Sequence, residues 1–265
     1  MGHVRLGTLP ASKKWRDIVA YLTAGKVDVA ELANAISQAA EQALRRAAND
    51  PAFVEACWLL IKIPQAAKST DFAQALRAIG IIVPAAPSIL DIVIGFDAAV
   101  EKVMRAPNIR VTDLGEMARQ AGTAALFGVA RDRLPSLWQA TREDERTTLA
   151  TLASPDKFGE LAQRFFTNLT ERNIRYYFDR EWPLHIGADR LAHSIGDMAL
   201  LDKAMRRHCE ETTLIMRAFS KEWLGKHAYA QSHDISRNDV RGFAHVALQK
   251  IGAELTIRNA PRAAV

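Results

Sequence analysis

Cysteine is nearly absent: Cys57 and Cys209 are the only two in 265 residues. Two distant thiols build no disulfide framework and supply no C-x-x-C pair, which excludes a disulfide-stapled secreted domain and a cysteine zinc site. Both sit in apolar helical surroundings and read as small buried hydrophobes in a reducing cytoplasm. Long apolar runs are missing too. The most hydrophobic stretch, Gly80 to Phe96, contains Pro84, Pro87 and Asp91, and it is too short and too broken to span a bilayer. No apolar h-region follows Arg5, Lys13 and Lys14, so no signal peptide is read and no membrane contact is expected.

Catalytic signatures are also lacking. Gly25-Lys26 has neither the upstream glycine nor the following Ser or Thr of a phosphate-binding loop. There is no G-x-S-x-G elbow and no H-E-x-x-H pair. These absences argue against the common nucleoside triphosphatases, serine hydrolases and zinc enzymes, so the chain is read as leaning away from an enzyme, with no cofactor and no metal. Blocks of one charge sign are absent as well. The net charge is +5, from 35 basic and 30 acidic residues that alternate along the chain. Such a balance gives weak attraction to polyanions and does not by itself mark a dedicated nucleic-acid binder. No fixed-period repeat suggests a solenoid, and no segment alternates with period two for long enough to build a sheet.

What the chain does have is alanine, arginine and repeated helix signals. Abundant alanine favours helices because its side chain loses no entropy there. The preference for Arg over Lys, together with alanine, is the composition of a GC-rich bacterial genome. Helices are expected over Ser12–Leu22 and Val27–Ala48. Asp50-Pro51 pairs a capping carboxylate with a proline at the first helical position and starts a helix ending near Pro64. Thr70-Asp71 starts another, closed by Gly80. Pro87-Ser88 opens the next, and Thr112-Asp113 caps a helix to Arg133. Arg142 to Arg146 reads as a solvated face or loop. Ser154-Pro155-Asp156 starts a long helix to about Glu181, with Phe158, Leu161, Phe165 and Leu169 as its stripe. One long helix is expected from Asp197 to Trp223 or Leu224, and a last one from Ser236 through Leu255. The fold class is therefore all-α, a compact bundle of about nine to eleven helices without significant sheet. Its organisation is an Ala-rich layer over 1–106, a second layer over 112–258 (or a single domain over 1–258), and a frayed tail at 259–265.

Chemistry-bearing residues concentrate late in the chain. Six of the seven histidines lie from His185 onward, but none share metal-ligand spacing. Between Arg164 and Trp182, arginines alternate with aromatics: Arg164, Phe165, Phe166, Arg172, Arg175, Tyr176, Tyr177, Phe178 and Arg180. Aromatic rings stack bases and guanidiniums hold phosphates, so this segment is a candidate nucleic-acid face, centred on Arg164, Arg172, Arg175 and Tyr176. Arg206 and Arg207 extend it if the fold brings them together, as do Arg237 and Arg241. Glu171, Asp179 and Glu181 lie among these bases and can pair with them.

Arg180-Glu181-Trp182-Pro183-Leu184-His185 resembles the Arg-x4-His motif of HEPN-type ribonucleases, which are all-helical. The resemblance covers six residues. It implies a metal-independent ribonuclease in which Arg180 stabilises phosphate charge and His185 is the general acid and base beside a 2′-hydroxyl. His233-Asp234 resembles the dyad of HD phosphohydrolases, but only Asp239 follows, five residues on, where that family needs a distant downstream aspartate. The leading expectation is a non-catalytic helical component of a bacterial macromolecular complex that works through protein contacts, with a protein partner or a second copy of itself. The alternatives are a nucleic-acid-binding module and the HEPN-like ribonuclease.

Overall fold

The computed structural model describes residues 47–107, 109, 111–134, 140–181, 195–230 and 234–257. Its helices are α1 (Pro51–Ala66), α2 (Phe72–Ala78), α3 (Ile89–Met104), α4 (Asp113–Arg133), α5 (Arg142–Thr151), α6 (Pro155–Glu181), α7 (Ile195–Thr212), α8 (Ile215–Ala230) and α9 (Arg237–Ile257). Among the described residues there is no β-strand, and no helix is long and apolar enough to cross a membrane. The helix expected over Ser12–Leu22, the one over Val27–Ala48 up to its last two residues, and the 259–265 tail lie outside the described residues.

The all-helical class is as the sequence implies, and the helix begun at Pro51 ends near Pro64, at Ala66, because a missing N–H one turn from the end removes only one bond. Two elements differ. Arg142 to Arg146 is the first half of a helix, started by a reciprocal capping box between Thr141 and Asp144. The single long helix expected to Trp223 is interrupted at Thr213 and Leu214, which separate α7 from α8. Counting that interrupted pair as one, the described residues form eight helices rather than nine to eleven.

Nearly every side chain of α1 is buried, which is what a helix apolar all round requires. It packs against α4, α3, α9 and α5. Its two charged side chains are paired where they leave the core: Glu55 accepts from the Arg237 guanidinium at 2.8 Å, and Lys62 pairs with Asp234. Trp58 closes the same joint, donating from Nε1 to the Ile235 carbonyl at 2.9 Å, with Arg237 3.7 Å above its ring. At the other end, Asp50 caps α1 by accepting from the Ala52 and Phe53 amides, each at 2.9 Å. It also accepts from the hydroxyl of Thr112, which caps α4. One carboxylate thus ties together the N-termini of α1 and α4, where helix dipoles favour negative charge.

The long strut α6 crosses the molecule between α4 and α8, the two helices it packs against most. Its Phe165 and Phe166 are buried against Phe53 of α1, with ring centres 6.0 and 6.5 Å away. A second aromatic group joins α6, α8 and α9 through Phe158, Phe243, Phe219 and Trp223. Helix α4 approaches α3 so closely that a Cβ on Gly122 would stand 2.3 Å from the Phe96 ring. One hydrophobic core joins Ala47–Met104 side chains to Leu114–Ile251 ones, so it runs across the 106–112 connection.

Candidate functional site

The packing of α6 between α4 and the α7–α8 pair leaves a groove of about 1090 Å³ on one face. Helix α6 supplies Glu160, Gln163, Arg164, Thr167, Asn168 and Arg172, residues three and four apart that share one side of a helix. The C-terminal end of α4 adds Phe127, Arg131, Asp132 and Arg133. From across α6 come Arg206, Arg207, Glu210, Glu211, Leu214 and Arg217. Seven arginines therefore face four carboxylates, a local net charge of +3.

The carboxylates hold the arginines in place. Arg164 lies across Gly128 and reaches Asp132 at 2.7 Å, while Arg131 meets the same carboxylate at 3.2 Å. Hydrogen bonding from Arg164 keeps the Asp132 carboxyl below its ordinary range. Glu160 collects Lys157 at 3.0 Å, Arg217 at 2.8 Å and Arg133. Burial pushes the Glu160 carboxyl up, but Lys157, Arg133 and Arg217 together outweigh it and hold it low. Arg206 pairs with Glu210 at 3.3 Å and Arg207 with Glu211 at 3.1 Å.

Arg172 differs from the other six. It donates to two neutral oxygens, the Gln120 side chain and the Asn168 carbonyl, each at 3.3 Å. Among the described residues it has no carboxylate in ion-pair contact. Burial pulls its pKa down, yet a guanidinium stays charged at any ordinary pH. It is therefore a half-buried cation without a full counter-charge. Two apolar side chains rise beside this charged surface: Phe127 is 36% exposed and Leu214, in the α7–α8 break, 54% exposed.

Of the residues singled out from sequence, Arg164, Arg172, Arg206 and Arg207 come together in this groove. Arg175 and Tyr176 do not line it. Arg175 pairs with Glu171 at 3.3 Å and Asp202 at 3.0 Å, and the Tyr176 hydroxyl donates to Asp113 at 2.6 Å, bracing α6 against the start of α4. Phe165 and Phe166, read as part of the aromatic face, belong to the core. Arg237 and Arg241 are elsewhere, Arg237 at the α1–α9 joint and Arg241 beside Asn238. The Arg180 side chain and His185, the pair of the HEPN resemblance, lie outside the described residues, as does His233. The sequence reading missed Phe127, Arg131, Arg133 and Arg217, of which the Arg131-Asp132-Arg133 run at a helix end was the one visible signal. Among the described residues no three His, Cys, Asp or Glu side chains are grouped to hold a metal ion. No family model, curated protein or solved structure matches this chain, so the chemistry of the groove stands on its own residues.

Proposed function

We propose that this protein binds single-stranded nucleic acid along the groove between α4, α6 and α7–α8. The observation that carries the reading is the convergence of seven arginines from separate helices on one concave face, with a net charge of +3. They are spread along α6 from the level of Glu160, where Arg133 and Arg217 pair, to Arg172, about 18 Å at helical rise, rather than focused on one point. A spread of guanidiniums suits a chain of phosphates better than a single small anion. The exposed Phe127 ring adds a stacking surface that an unpaired base can use and a duplex, with its bases already stacked inside, cannot.

The test is fluorescence anisotropy with labelled single-stranded U12 or dT12 and the matching duplexes across a salt series. Three net charges predict a log–log salt slope of about −2 for a single strand, and weaker duplex binding. Absence of single-strand binding at low salt overturns the reading.

A second reading, a component of a larger complex acting through protein contacts, is favoured by a different face. Ile82, Leu90 and Ile94 are 87%, 56% and 58% exposed. Leu90 and Ile94 are four apart on α3, and the Ile82 carbonyl lies against Gly95 of the same helix. Grouped large aliphatics in water are the signature of a protein contact.

A further inference from the structure

Beside the groove lies a smaller cleft of about 390 Å³, and the two share Ala124, Phe127 and Arg172 as a common border. Its floor is one face of α4, carrying Gln120, Thr123 and Phe127 at helical spacing. Helix α4 packs against both α3 and α6. Asp97 of α3 and Arg172 of α6 therefore flank the floor from opposite sides. Asp97 receives Arg119 on Oδ1, and among the described residues Oδ2 takes no hydrogen bond. Arg172 uses Nε and Nη1 for its two bonds, which leaves Nη2 without a protein acceptor among the described residues.

The cleft thus sets an acceptor opposite a donor, with an aromatic edge between them and the groove. Guanine is the base whose Watson–Crick edge offers two adjacent N–H donors, while O6 and N7 accept on the other side. A carboxylate facing adenine meets the N1 lone pair, and facing cytosine the N3 lone pair. Uracil offers it a single N–H.

We infer that this cleft receives a guanine turned out of a strand lying in the groove, its Watson–Crick N–H groups on Asp97, its O6 and N7 side toward Arg172, and Phe127 at its face. The inference rests on the groove being a nucleic-acid path, and it adds a base preference that the groove alone does not have.

The experiment uses the full-length protein with labelled U9 and with the same strand carrying one central G, A or C, at low salt. One guanine should tighten binding about tenfold over A, C or U. In Asp97→Asn the ratio of guanine-containing strand to U9 should fall to about one, because the amide replaces a pair of acceptors with one acceptor and one donor. U9 binding with no gain from guanine overturns the cleft assignment and leaves the groove reading standing. A guanine preference that survives in Asp97→Asn overturns it as well. Failure of every strand to bind overturns the groove reading and the cleft with it. The wild-type comparison alone decides should Asp97→Asn not fold.

Discussion

Glu160 gives the sharpest test of how the groove works, because removing it should strengthen ligand binding while weakening the fold. The carboxylate holds Lys157 at 3.0 Å, Arg217 at 2.8 Å and Arg133. Glu160→Gln keeps the shape, removes one negative charge and raises the groove from +3 to +4. A phosphate passing about 6 Å away is repelled by that charge by about 0.7 kcal/mol in water, and screening at 0.1 M salt roughly halves this. Two phosphates in range make the effect about 0.8 kcal/mol, about a fourfold gain in affinity at about 0.1 M salt that grows as salt falls. Losing the three-cation contact costs about 1 kcal/mol of stability, or a fall of about 2–4 °C in Tm. The sign of the pH dependence is fixed by the low pKa of Glu160. A carboxyl whose folded pKa is depressed stabilises fully above its unfolded pKa and loses that contribution as pH falls through the folded value. The Tm deficit of Glu160→Gln should therefore be full at pH 7, start to shrink as pH falls past the ordinary glutamate value of about 4.3, and vanish only below the depressed folded value. Anisotropy with U12 from 25 to 300 mM KCl, with melts across pH, measures both halves. A variant that binds as wild type or more weakly at low salt refutes the idea that the strand passes Glu160.

Two further outcomes test the scaffold. Gly122→Ala sets a methyl 2.3 Å from the buried Phe96 ring. It should cost about 1–3 kcal/mol in urea unfolding, since the ring has no free space to retreat into; an unchanged midpoint contradicts the α3–α4 packing. Ser88 caps α3, and its hydroxyl and amide bonds hold the Asp91 carboxyl below its ordinary range. The Asp91 part of this contribution is present above about pH 4 and fades as pH falls through the depressed folded value. Ser88→Ala should therefore cost about 1 kcal/mol of cap energy at pH 7, about 2–4 °C in Tm, and the gap between the two melting curves should narrow in acid to what the Ser88 Oγ bond to the Asp91 amide supplies.

Much of the helical framework was legible because it is local. Asp50, Ser88 and Thr112 act as caps where the sequence placed them. Helix α5 was read as solvated because only Glu145 and Leu149 are buried on it, too few to show a period. The Thr141 to Asp144 box was the signal available. The α7–α8 break was hidden because Cys209, Thr212 and Met216 keep the apolar stripe in phase across it. Inside α6, Arg172, Arg175 and Tyr176 look alike in sequence and end in different places. Arg175, a turn beyond Arg172 on the same helix, is taken up by Glu171 and by Asp202 of α7, and Tyr176 lies a turn beyond the groove where Asp113 takes it.

The groove itself was illegible for a different reason, which bears on how charge should be read. The whole chain carries +5 from bases and acids interleaved almost everywhere, so no window of sequence stands out. Yet +3 gathers in one groove, because the burial of Phe165 and Phe166 against Phe53 of α1 fixes which face of α6 turns inward and leaves Arg164 and Arg172 on the face shared with the arginines of α4, α7 and α8. Apolar packing, not charge patterning, decides which arginines become neighbours. The four carboxylates then hold most of those side chains in fixed geometry before any ligand arrives, which lowers the ordering entropy of binding. They also cancel part of the groove's positive charge, so on the proposed reading binding should be reversible and salt-sensitive rather than tight. Arg172, seated on neutral oxygens at the border with the cleft, has only the more distant charge of Glu171 against it and is the guanidinium of the groove whose charge is least cancelled.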